Sequence, residues 1–389
     1  MSQHIQDFVT TSSELLALGE PTHQVPAFGW VRNELFVQLV ELGFRSIGLE
    51  TDRVAALAVN DFIQNGIGDF DTVMREGFSH DFGALDTNRQ LIAWMREYNR
   101  NHTPAAHLTF YGIDAQTENT SAPSPRRYLE YTRDYVGLDI DIASAAGDDE
   151  RWGRQEAILD PELSMGESEA AGRLRSMADD LVDALYECAP QRIAATSLAE
   201  WHRAETYLSA GVGLLRYHRV AAQRHEQSKR ISLLLGARDV IMAQNLLAIR
   251  RIESGRGPTL VFANNTHLQR NPSHFSRADS EITWTGAGSI AASLLGEQYS
   301  FIAGSLGRSD LFGLGEPEPD TSEAFLDNRI STWGLIASSA VAAARSRTDT
   351  TPQQGYFPLD AATLAGADAV LHISDGAAIR PESIRTPRD

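Results

Sequence analysis

Gly19-Glu20-Pro21-Thr22-His23 sets a carboxylate and an imidazole three residues apart in a short turn. Imidazole titrates near neutrality and takes a proton from water or an alcohol. A glutamate on its other ring nitrogen fixes the tautomer and stabilises the imidazolium that forms. More polar groups stand at comparable places. Glu50 ends the run Ser46-Ile47-Gly48-Leu49, Asp114 ends Leu108 to Ile113, and Asn264 and His267 follow Thr259 to Ala263. Arg32 lies nine residues after His23 and can turn back to hold a carboxylate or an oxyanion. Alone, a histidine after a strand is usually a loop or core residue, and a glutamate there a surface charge. Two histidines and two glutamates at strand ends point to acid–base chemistry. Asp114 is closer to a carboxylate that receives backbone N–H groups.

The elements that must position these groups follow from hydrophobic pattern. Leu15-Leu16-Ala17-Leu18, Ser46 to Leu49, Leu108 to Ile113, Thr259 to Ala263, Tyr299 to Ala303 and Ala369 to Ile373 read as buried strands. Phe28 to Leu42, Val54 to Gln64, Gln90 to Tyr98 and Ser289 to Leu295 read as helices, the first closed by Gly43. Gly304 to Asp320 reads as a loop rich in Gly, Pro and acid. Strand alternating with helix means a mostly parallel sheet flanked by helices, an α/β fold. In such sheets ligands bind beyond the carboxyl ends of the strands.

A turn-rich stretch, Asn119 to Pro125, breaks the alternation. Beyond it the pattern is helical to about Glu253. Three parts are expected: 1–119 as the first part of the α/β core, 120–253 as a helical insertion over the C-terminal strand ends, and 254–389 as the second part of the core. His218 and His225, seven apart, are read as residues on one helix surface. Cys188 is read as a buried or half-buried thiol near a helix end.

Composition narrows the function classes. The formal net charge is −18, which argues against nucleic acid or anionic membrane as a main partner. No run of about 18 apolar residues is present. The polar opening lacks the pattern of a secretory leader, so a cytoplasmic placement is expected. The single cysteine forbids an intrachain disulfide and paired-cysteine zinc signatures. No Gly-x-Ser-x-Gly elbow, Walker A loop or His-Glu-x-x-His pair occurs. No cofactor and no metal are expected; the expected partner is a small molecule.

Several segments in order resemble the erythromycin esterase family. They are Gly19 to His23 with Arg32 following, Leu42 to Glu50, Trp94 to Asn99, Phe110 to Asp114, Arg238-Asp239-x-x-Met242-Ala243, Ala263 to His267 and Gly304 to Gly307. The resemblance implies metal-independent hydrolysis of a macrolide lactone or another ester. It implies His23 as general base, with Glu20, Glu50, Arg32 and His267 completing the catalytic set. Asn264 and Asp114 are expected to bind substrate. Asn264 stands where the family has a first histidine of a pair, and asparagine cannot shuttle a proton near pH 7. Two alternatives stay open, the first of them because of Asn264. One is a natural-product biosynthetic enzyme using the same base for ester transfer, cyclisation or elimination. The other is a non-enzymatic ligand-binding protein.

Overall fold

The computed structural model describes residues 3–10, 12–23, 25–277, 280–341, 345–350, 355–377 and 379. Its strands are β1 (Leu15–Glu20), β2 (Ser46–Asp52), β3 (Thr109–Asp114), β4 (Thr259–Asn264), β5 (Ser273–Arg277), β6 (Ser280–Trp284), β7 (Tyr299–Arg308), β8 (Trp333–Ala337) and β9 (Ala369–Asp375). Seven of them form one sheet in the order β3-β2-β4-β1-β7-β9-β8, and β5 and β6 pair as a separate hairpin. Within the sheet every pairing is parallel except β8 on β9. The mostly parallel sheet flanked by helices is the architecture that the strand–helix alternation predicts.

Both faces of the sheet are covered, and alternate strand residues serve opposite faces. Leu16, Leu18, Ile47, Leu49 and Phe262 pack with helices Pro26–Glu41, Ala56–Asn65 and Asp86–Asn101. Leu15, Ala17, Val261 and Ala263 pack on the other face with Met242, Leu246 and Ile249, and with Ala287 and Ala291. Between β3 and β4 the chain is helical, with long helices Glu169–Glu187, Leu198–Ala221 and Gln227–Ile252. These helices have an apolar cluster of their own around Trp152, Leu181 and Trp201. A further cluster, with Tyr128, Leu214 and Ile241, meets Val54 and Ala115 beyond the ends of β2 and β3.

Register brings the polar groups together. Glu20 pairs with Asn264 across β1 and β4. The β2–β3 register shifts between Leu49 and Asp52, an irregularity that spans Glu50. Such a break re-aims side chains at a sheet edge. Gly112 accommodates it: a Cβ there would lie 2.5 Å from the carbonyl oxygens of Thr51 and Asp52.

Four details depart from the pattern reading. β7 runs on to Arg308, so Gly304 to Gly307 is strand and not loop. The β5–β6 hairpin and the antiparallel edge strand β8 gave no pattern that was read as strand. His218 is fully buried: its Nε2 donates to the Pro123 carbonyl and its ring stands edge-on to Trp152. His225 lies in the break after the 198–221 helix, so the two do not share a helix surface. Helix Gln227–Ile252 is long and apolar enough to cross a membrane by length and composition. Here it packs against β3, β6 and helix Ala287–Leu295.

The close approach of β7 to β1 is testable. A Cβ on Gly304 would lie 2.4 Å from the Gly19 carbonyl oxygen and 2.8 Å from the Glu20 Cα. Gly304→Ala is expected to cost about 1–3 kcal/mol through overpacking, measured by denaturant unfolding. Unchanged stability would contradict this contact.

Candidate active site

β1 ends on Glu20, and the chain turns at Pro21 before helix Pro26–Glu41. Pro26 opens that helix where its missing N–H is no loss. The turn lays His23 back over the strand end: its Nδ1 is 2.9 Å from Glu20 Oε1. Its Nε2 is 3.5 Å from Glu50 Oε1 on β2. The His23 side chain is 31% exposed, against 8% for Glu20 and 5% for Glu50. Phe82 lies beside the ring at 5.3 Å.

Glu50 is the hub of the cluster. Its Oε1 also meets His267 Nε2 at 3.4 Å and Arg238 Nη2 at 3.1 Å. Its Oε2 accepts the Asn264 backbone N–H at 2.8 Å. On the far side of His267, Nδ1 donates to Asp239 Oδ1 at 2.8 Å. Asp239 also accepts Trp284 Nε1 and the Ala287 N–H. Arg238 reaches past Glu50 to Asp114 and donates to both of its oxygens. His80 Nε2 lies 3.2 Å from Asp114, and its Nδ1 is 2.7 Å from Glu118.

The charges follow from these contacts. Burial raises the Glu20 pKa, only partly opposed by His23. Burial opposes the charge of Glu50 too, but His23, His267 and Arg238 outweigh it and take its pKa down to about 2. Burial works against an imidazolium at His23, yet Glu50 and Glu20 raise its pKa to about 9. At His267 burial is likewise overcome, by Asp239 and Glu50, and the pKa is raised. Asp114 is held well below the usual carboxylate range by Arg238 and His80, against its burial.

A cavity of about 490 Å³ opens beside His23. Glu20, Glu50 and Arg32 line it, with apolar walls from Trp30, Phe78, Phe82 and Phe262. Arg32 is buried, and burial lowers its pKa to about 10. Its Nε and Nη2 donate to Asn33 Oδ1 at 3.0 and 2.7 Å, and Nη1 to Asn88 Oδ1 at 2.9 Å. Its guanidinium stacks 4.9 Å from the Phe262 ring centre.

The residues picked from sequence thus separate into three groups. His23, Glu20, Glu50 and Arg32 line the cavity, and His267 touches Glu50 from behind. Asp114 is fully buried, with its oxygens held by Arg238, His80 and the Ala115 N–H, so it stands behind the cavity wall. Asn264 spends its Oδ1 capping its own short helix, on the Thr266 N–H and hydroxyl, while its backbone N–H holds Glu50. Arg238, Asp239 and His80 received no role from sequence reasoning. The signal for the first two was a charged pair inside the apolar stretch Leu233 to Met242.

Comparisons with known proteins give a family and a fold. The family profile described as Erythromycin esterase matches residues 39–385. That segment takes in Glu50, Asn264 and His267. It begins after Glu20, His23 and Arg32, whose place here rests on the geometry above. Erythromycin esterase type II from Escherichia coli is 25% identical over 326 residues, 81% of this chain and 74% of that protein. Three solved structures share the fold. A Bacillus cereus protein has a TM-score of 0.67 at 16% identity, covering 95% of this chain and 90% of that one. An erythromycin esterase mutant in its open conformation has a TM-score of 0.64 at 20% identity, covering 94% and 91%. A succinoglycan biosynthesis protein has a TM-score of 0.66 at 17% identity, covering 94% and 88%.

Arg238 is the short-range cation for Glu50 and Asp114. Arg238→Met is expected to cost about 3–5 kcal/mol at neutral pH, the usual result of leaving buried charge unpaired. The sign with pH follows from Glu50. Its folded pKa of about 2 lies below an unfolded value of about 4.3. Its contribution is therefore present above the unfolded value and lost as pH falls toward the folded one. The difference between wild type and variant should shrink across that window in denaturant unfolding. A constant difference, or none at neutral pH, would contradict the pairing.

Proposed function

The chain belongs to the erythromycin esterase family, and from that premise we propose a hydrolase of an ester or macrolide lactone that uses His23 as general base on water. The observation that carries this reading is the His23 ring, held between two carboxylates and part-exposed beside the cavity. The name and likeness of the Escherichia coli relative support the reaction class.

In this reading His23 donates from Nδ1 to Glu20, and the Nε2 lone pair takes a proton from the attacking water. The imidazolium that forms lies between Glu20 and Glu50, so the charge that appears during attack is stabilised where it appears. Arg32 receives the negative charge that develops on the carbonyl oxygen. Among the described residues its side-chain acceptors are Asn33 and Asn88, and Glu20 acts on it only from beyond ion-pair distance, which leaves its charge available to an incoming oxyanion. The His23 imidazolium then returns its proton to the departing alkoxide, while His267, behind Glu50, helps to keep that carboxylate ionised. Asn264 shuttles none, because its side chain is committed to the helix cap. The same base also suits a non-hydrolytic step such as ester transfer or elimination. Product mass separates the two: hydrolysis adds one water.

His23→Ala is expected to lower kcat/KM on a cleaved ester by about 10²–10⁴; turnover at the parent rate would end this assignment. The base form of His23 is the deprotonated one, so kcat/KM should rise with pH toward a limb near its pKa of about 9. Glu50 is the largest cause raising that pKa. Glu50→Gln should therefore move the limb to lower pH, whatever it does to the plateau. A limb that stays in place would rule out the Glu50–His23 coupling.

A further inference from the structure

A second cavity, of about 300 Å³, lies across the Ser79–His80 turn from the first, between the ends of β2 and β3 and the helical segment. Its ligand is legible from atoms left over. Asp52 stands two residues after Glu50, and Gln116 two residues after Asp114. The inner pair, Glu50 and Asp114, is saturated by Arg238, the neighbouring histidines and backbone N–H groups. The outer pair is not. Gln116 is 4% exposed and its Oε1 has no hydrogen-bond partner among the described residues. Its Nε2 donates to Asp52 Oδ1 at 3.2 Å, which ties the two side chains together. Asp52 Oδ1 further accepts the Val54 and Ala55 N–H groups, and Oδ2 has no partner among the described residues. Both residues line the cavity. An acceptor left unsatisfied in a buried place costs free energy until a donor arrives.

We propose that Asp52 and Gln116 form a subsite for two adjacent hydroxyl groups, a vicinal diol of the kind a sugar ring carries, on one arm of the substrate. The Gln116 Nε2 to Asp52 Oδ1 bond keeps the amide and the carboxylate in contact, so that their remaining oxygens can accept from two neighbouring O–H groups. The Arg127 guanidinium on the same wall can serve the remaining oxygens of such a unit, whereas the Ser79 hydroxyl already bonds the Asp52 N–H and the Thr51 hydroxyl. A primary ammonium is the other ligand with clustered donors. Glu118 also lines the cavity but is paired with His80 at 2.7 Å; Arg127 disfavours a cation, and burial raises the Asp52 pKa, which weakens the fixed negative charge an ammonium would need. The volume is at the small end for ligand pockets and suits a single ring. The word substrate here rests on the hydrolase reading; the diol site itself does not.

The test is ligand-observed NMR titration of the full chain with methyl mannoside, methyl glucoside and ethylammonium chloride. Wild type is expected to bind a methyl glycoside saturably and ethylammonium more weakly. Gln116→Met removes one acceptor. Asp52→Asn keeps the oxygen that receives the Val54 and Ala55 N–H groups and replaces the other. Each is expected to weaken glycoside binding about tenfold, and thermal unfolding confirms that the fold is kept. His23→Ala protein is expected to bind glycoside as wild type does, so the subsite and the hydrolase reading fail separately. No saturable glycoside binding to wild type, undiminished binding in folded Gln116→Met, or preference for ethylammonium would each overturn the proposal.

Discussion

The guanidinium of Arg238 is the contact on which the polar centre of this protein depends. Glu20, Glu50, Asp114 and Asp239 bring four carboxylates close to the ends of neighbouring strands, all of them buried. Like charges at such spacing cannot all ionise without nearby cations. Arg238 sits where two of them converge and donates to Glu50 and Asp114 together. Holding Glu50 ionised has a further effect, because that charge raises the pKa of His23 and of His267. The proton affinity of both imidazoles thus traces back to Glu50, whose pull outweighs the opposing charge of Arg238.

That arginine comes from outside the sheet. Helix Gln227–Ile252 presents Arg238 and Asp239 in succession, and the two act in different directions. Arg238 reaches β2 and β3, while Asp239 holds His267, the Trp284 indole and the first N–H of helix Ala287–Leu295. A segment that would otherwise be a cover over the strand ends therefore completes the site. A displacement of this helix would disturb the charge of Glu50 and the orientation of His267 at once.

Much of this was legible in the sequence because strand ends are marked twice, by an apolar run and by the polar residue that stops it. Glu20, Glu50, Asp114 and Asn264 all stand at such places, and the parallel register lines them up. Arg238 and Asp239 carry no such mark: they lie mid-helix, and their partners are set by tertiary packing. β7 was cut short because Gly304 and Gly307 resemble loop residues. In place they serve close approach: a Cβ on Gly307 would lie 2.5 Å from the Ser374 carbonyl oxygen. β8 has only five residues and pairs at the sheet edge, where periodicity is weakest. His218 looked like a surface residue because nothing in its neighbours announces the Pro123 carbonyl, 95 positions away, that accepts its proton.

Stability does not explain why such a cluster exists. Burying ions costs desolvation that their mutual attraction barely offsets, and a well-packed apolar replacement is often neutral or better. The network also grades exposure in a way that packing does not require. Glu20, Glu50, Asp114, Asp239 and His267 are closed off, and His23 alone of this group keeps a substantial part of its ring open. A cluster evolved only to hold strands together would gain nothing from that opening, and would lose some of its attraction to solvent screening. A cluster that tunes one imidazole for contact with a small molecule requires it.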